Sequence, residues 1–121
     1  MHANPPVYHR DIRAPNIIKT FDGTGWYLID WSDASTAPTR AITHLTESEH
    51  SPQVRQDNHG QEVDIWGIAN YMEQMASRAT CKVANPVAVK EMARRWIKDT
   101  STTASRALGE IRVSVYRLIS G

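Results

Sequence analysis

The sequence predicts an α+β domain that is mostly α, with one short β-hairpin and about three main helices. Three observations carry that expectation. A turn of strong local chemistry, Asp22-Gly23-Thr24-Gly25, separates two β-like runs, Ile17–Phe21 and Trp26–Asp30, and glycine tolerates the positive φ that tight hairpins need. The stretch EVDIWGIANYMEQM, just after Gln61, is apolar on nearly all sides, which suits a centrally buried helix. Further on, Val89, Met92, Ala93, Trp96 and Ile97 recur at the spacing of one helical face. They follow Asn85-Pro86, an N-cap with proline at the first helical position.

Residues 1–6 (MHANPP) read as a flexible lead-in, and residues 7–121 as the domain. A polar loop, His9 to Asn16, leads into the hairpin. Residues 33–60 are rich in Ser, Thr, Pro, His, Gly and Gln and lack sustained periodicity. They are expected to form a long irregular segment, and such segments are usually functional or disordered. The central helix is expected from about residue 61, with Trp66 buried on it. Ser101 or Thr102 caps a last helix whose predicted buried stripe is Ala104, Ala107, Leu108, Ile111, Val115 and Leu118. Gly109 inside it costs about 1 kcal/mol relative to alanine. Two short strands make no core alone, so the helices must supply it.

The 121 residues suffice for one modest core. Hydrophobic residues at 40% and charged residues at 22% are ordinary for globular chains, so neither disorder nor a membrane class is indicated. Net charge is +1 and no basic block occurs, so a nucleic-acid partner is not expected. No apolar run approaches spanning length and the start has no signal-like apolar region, so no membrane partner is expected and a soluble, cytoplasmic location is. Cys81 is the only cysteine. It permits no internal disulfide and reads as a buried structural thiol in a reducing compartment.

The chemistry concentrates in His9-Arg10-Asp11-Ile12-Arg13-Ala14-Pro15-Asn16. Taken singly, an Asp or Asn in a turn is most often a turn former. As a set these residues match H-R-D-x-x-x-x-N in register. Asn16 leads straight into the hairpin, which ends in Asp30-Trp31-Ser32. Residues 33–53 follow and close on Ser51-Pro52-Gln53. Then come Val63-Asp64-Ile65-Trp66-Gly67 and, late, Asp99 with Arg106.

In this order of motifs the chain resembles the C-terminal lobe of eukaryotic-type protein kinases. The catalytic loop would be 9–16, the D-F-G position 30–32, the activation-like segment 33–53, and Asp64-Ile65-Trp66 the D-x-W of the central helix. The resemblance implies Asp11 as the base that orients a hydroxyl, in a cleft open to solvent, and Arg13 as a phosphate-neutralising cation beside it. It implies Asn16 as a further member of the catalytic set. Asn16 and Asp30 would be hard oxygen ligands for Mg2+ under ATP. His9, Arg10, Asp64, Trp66 and Arg106 would be structural, with Asp64 hydrogen-bonding the backbone of the His9–Arg10 turn and Gln53 meeting Arg106.

Several kinase parts are not found in this sequence: a glycine-rich strand-turn-strand, its partner lysine and the helix glutamate. Ser32 replaces the D-F-G glycine, Gln53 the A-P-E glutamate, and Ala79–Asn85 is short for the usual extra helix. The expectation is therefore a non-catalytic or weakly active kinase-like module that works through protein interaction, as decoy, scaffold or regulator. Mg2+ and ATP would bind weakly or not at all to the isolated chain. A protein partner, or self-association, would cover the face normally under the N-lobe. The alternative is a phosphotransferase moving the ATP γ-phosphate to a protein hydroxyl, complemented by a partner lobe. A third reading, similarity to aminoglycoside-phosphotransferase-type kinases, rests on Ile29-Asp30-Trp31. His44, His50 and His59, among Glu47, Glu49 and Asp57, fit no metal-ligand spacing and read as ordinary polar-loop residues.

Overall fold

The computed structural model describes residues 6–78 and 85–111. Two short antiparallel ladders precede the helices. In the first, β1 (Val7–Tyr8) pairs with β4 (Ser35–Thr36). In the second, β2 (Ile17–Lys19) and β3 (Trp26–Leu28) form the expected hairpin, with Ile17 opposite Leu28 and Lys19 opposite Trp26. Asp22 builds its turn. One carboxylate oxygen accepts from the Thr20 and Thr24 hydroxyls, both at 2.8 Å, and from the Thr24 amide at 3.0 Å. Those donors hold the Asp22 carboxyl down to about 2. Gly23 takes φ +77, which a side chain would strain. The ladder stops at Lys19, and Phe21 projects fully into solvent.

α1 (Glu62–Ala76) and α2 (Pro86–Lys98) pack against each other. Asn85 caps α2 by accepting from the Ala88 amide at 3.1 Å. Residues 104–111 are helical as well. Ile65 and Ala69 of α1, Met92, Ala93 and Trp96 of α2, and Ala107 form one apolar cluster, with Ile97 and Ile111 packed on it. A second, smaller cluster joins Ile42 and Val54 to Val63 at the start of α1. α1 is thus the wall shared by both cores. The fold is α+β with three helices and a small hairpin sheet.

Some expectations change. Trp66 is only half-buried and Ile68 is exposed, so α1 has a solvent side after all. In the last helix Ala107 is buried, but Ala104 is exposed and Leu108 is 47% exposed. Of the described part of the predicted stripe, only Ala107 and Ile111 join the apolar cluster. Val115, Leu118 and Cys81 lie outside the described residues, as does most of the lead-in. Residues 33–60 are irregular but folded. They carry turns of 3-10 helix at Glu47–Glu49 and Pro52–Arg55, and bury Thr39, His50, Ser51 and His59 with hydrogen-bond partners. Among the described residues no helix is long and apolar enough to cross a membrane.

Candidate functional site

The loop 9–16 joins β1 to β2 and lies on α1. Two features of α1 seat it there. The Asp64 carboxylate accepts the backbone N–H of His9 at 2.9 Å and of Arg10 at 2.8 Å, so both acceptor oxygens are used on the turn. Burial, the largest influence, pushes the Asp64 carboxyl above the ordinary carboxylate range, against the pull of those amides. One helical turn further on, Gly67 lets the Ile12 backbone approach closely. A Cβ there would sit 2.6 Å from the Ile12 carbonyl oxygen.

Arg10 adopts φ +70, the left-handed region that a non-glycine residue occupies only when held. Its amide is held by Asp64 and its guanidinium by acceptors from the segment beyond the hairpin. Nε donates to the Asp33 carbonyl at 2.6 Å, and Nη1 reaches the Arg40 carbonyl at 3.2 Å and His59 Nε2 at 3.3 Å. Partial burial lowers the Arg10 pKa, with Asp33 and Asp64 opposing that shift.

His9 is the most buried polar residue of the loop. Its Nε2 lies 2.8 Å from the Ile29 carbonyl, which can only accept, so Nε2 carries the proton. Nδ1 is then free to accept from the Asp11 amide at 3.1 Å. The ring thereby ties the loop to the end of the hairpin, and Trp31 packs edge-on against it at 4.7 Å.

These contacts deliver Asp11 to a closed position. The expected solvent-facing cleft is not found: Asp11 is only 6% exposed. His50 Nε2 lies 2.6 Å from its Oδ1, and Asn16 Nδ2 donates to its Oδ2 at 3.1 Å and to its carbonyl at 2.9 Å. Arg13 does stand beside Asp11, but its charge is spent locally. Nη1 pairs with Glu49 at 2.7 Å. Nε lies 3.2 Å from Asp11 Oδ1 yet is not aligned for a hydrogen bond, so that contact is charge proximity alone.

The two expected metal ligands flank the hairpin, Asn16 just before β2 and Asp30 just after β3, and the Ile29 amide donates to the Asn16 carbonyl at 2.9 Å. Their side chains do not meet. Asp30, at φ +58, is exposed and accepts from the Ser32 hydroxyl at 2.5 Å. That bond, with the Ser32 amide, lowers the Asp30 pKa and favours its ionised form. Asn16 directs its Nδ2 at Asp11, and its Oδ1 takes no hydrogen bond from the described residues. An ionised carboxylate and an amide oxygen are a donor pair that suits Mg2+, which takes one or two protein oxygens and fills its shell with water and phosphate. Among the described residues no group of three or more His, Cys, Asp or Glu is placed to hold a metal.

Arg106 pairs with Asp99 at 3.5 Å instead of meeting Gln53, whose side chain accepts from the Ser51 hydroxyl at 2.6 Å. The sequence does not single out His50 and Glu49 as partners of the loop. They contact Asp11 and Arg13 across 39 and 36 residues, and nothing in their spacing marks it.

No family model matches the chain, and no solved structure does. Part of the sequence is similar to Crinkler effector protein 8 of Phytophthora infestans, at 39% identity over 64 residues. That stretch is 50% of this chain but 11% of the relative, so the comparison spans about a tenth of that protein's length.

Proposed function

We propose that this chain is a protein-kinase-like C-lobe whose phosphoacceptor site is assembled but closed, and that it acts through protein contact as decoy, scaffold or regulator. One observation carries the reading: both Asp11 oxygens are engaged, by His50 and Asn16, in a buried pocket. A base must reach the hydroxyl whose proton it takes, and this one faces its own chain. The grip of Asp64 on the His9–Arg10 turn and the Asn16–Asp11 bond support the kinase resemblance itself.

A second reading, a phosphotransferase acting on protein hydroxyls, is favoured by the same Asn16–Asp11 bond, because the catalytic pair is intact. Asn16 Oδ1 and Asp30 would hold the ion. Mg2+ bound there would neutralise charge developing on the ATP phosphates. Asp11 would orient the acceptor hydroxyl and hold its proton once His50 withdrew. Arg13 would be released from Glu49 to face phosphate, as a planar fork and not a point charge.

Calorimetric titration of Mg·ATP into the full chain separates the two. The expected dissociation constant is millimolar or weaker, worth about 4 kcal/mol, with no phosphate transferred to a protein acceptor. A low-micromolar constant that disappears in Asp30→Asn would overturn the non-catalytic reading in favour of the phosphotransferase.

A further inference from the structure

We infer that the corner between α2 and the helix at 104–111 is a binding site for a phosphoryl dianion, free or carried as a monoester. The site shares no residue with the loop 9–16, so it does not depend on the kinase-like reading.

A cavity of about 270 Å³ opens at that corner. Three cations line it: Arg95 and Lys98, about one turn apart on α2, and Arg106 from the following helix. Asp99 and Glu110 line it too, and each is committed to holding an arginine in place. Asp99 Oδ1 accepts from the Ser101 amide at 3.0 Å and hydroxyl at 2.5 Å, while Oδ2 lies 3.5 Å from Arg106 Nη1. The Ser101 hydroxyl, the largest influence, keeps the Asp99 carboxyl below the ordinary carboxylate range, so its charge persists. Glu110 Oε2 accepts from Trp96 Nε1 at 3.2 Å and lies 3.2 Å from Arg95 Nη2. A guanidinium has donors to spare after such a pair. Lys98 makes no hydrogen bond or ion pair with the described residues, so one positive charge of the cavity is unmatched.

Thr102 is the second observation that points to a ligand. It is 3% exposed and lines the cavity, yet its hydroxyl has no hydrogen-bond partner among the described residues. A hydroxyl withdrawn from bulk water and left unbonded is costly, and an oxyanion in the cavity would accept from it. Donors thus converge from α2, from the connection after it and from the next helix. That suits a tetrahedral anion with three free oxygens better than a planar carboxylate with two. The end of α2 and the start of the next helix meet here, so their opposite end charges offset and the side chains set the field.

The site is tested by titrating the full, 15N-labelled chain with inorganic phosphate and, separately, with N-acetyl-phosphoserine amide, following the tryptophan indole N–H signals. Trp96, bonded to the Glu110 that holds Arg95, is the reporter, its signal assigned with Trp96→Phe. Trp26 and Trp31, at the hairpin, are the internal reference. The Trp96 signal should move with a dissociation constant of about 0.1–1 mM while the reference signals stay. Lys98→Gln should weaken binding about two- to fivefold, as for an exposed ion pair. Thr102→Val should weaken it about tenfold, through loss of a hydrogen bond to a charged group. Lys98 is exposed and unbonded, so Lys98→Gln decides the matter should Thr102→Val lose its fold. A tighter constant for the ester assigns the phosphoryl group to a modified side chain of a partner, and one no tighter assigns it to free phosphate; both support the site. A Trp96 signal unmoved at about 20 mM of either probe, or a constant that Lys98→Gln leaves unchanged, overturns it.

Discussion

Asp64→Ala should be the most damaging single substitution at the site. It strands the amides of His9 and Arg10, at about 1–3 kcal/mol for each buried donor, and leaves the φ +70 conformation of Arg10 to its guanidinium contacts alone. Removing the buried charge returns part of its desolvation cost, so the net loss is less than the sum. Against a domain stability of about 5–15 kcal/mol it remains large. Asp11→Ala should cost less, although more than an exposed residue would, because Asn16 keeps its bond to the residue 11 carbonyl and Arg13 its pair with Glu49. Urea melts compare the two directly. Equal midpoint shifts would contradict the assignment of Asp64 as the clasp of the loop.

Gly67→Ala is expected to be nearly as harmful, for a steric reason. The new methyl would meet the Ile12 carbonyl oxygen at 2.6 Å and the Ile12 Cβ at 3.0 Å. Ile12 cannot retreat, since Asp64 pins the same loop from the same face of α1. Overpacking of this kind costs about 1–3 kcal/mol. Gly109→Ala gives the control, because a methyl placed there would have nothing within 4 Å. There only helix propensity changes, and the substitution should stabilise by about 0.8–1 kcal/mol. Thermal melts should move in opposite directions; a stabilising Gly67→Ala would mean that loop and helix are not pressed together.

The parts legible in the sequence were those whose signal is local. The Asp22–Gly25 turn declares its hairpin through residues that bond to one another, and Asn85-Pro86 declares the start of α2. The pairing of β1 with β4 was not legible, because two residues hold no alternation to read. Leu108 shows the limit of helical periodicity, which assigns a residue to a face without showing whether that position is covered. Asp64 was placed against the His9–Arg10 turn through motif order alone, since no spacing rule spans 54 residues. Motif order also misled: it implied an open Asp11 and a Gln53–Arg106 contact. His50 fills the first place and Asp99 takes Arg106 in the second. Both outcomes depend on side chains within a polar loop or turn, where residue type says little about partner.

The separation of Asp64 from His9 has a kinetic consequence. Their bond closes a loop of 55 residues, whereas the hairpin and the α1–α2 pair close over much shorter stretches. Chain entropy favours forming the short closures first. The clasp would then form after the rate-limiting step, and its loss should leave the folding arm of a chevron almost unmoved while raising the unfolding arm. Asp64 in that case governs how long the folded loop lasts and has little say in how quickly it is reached.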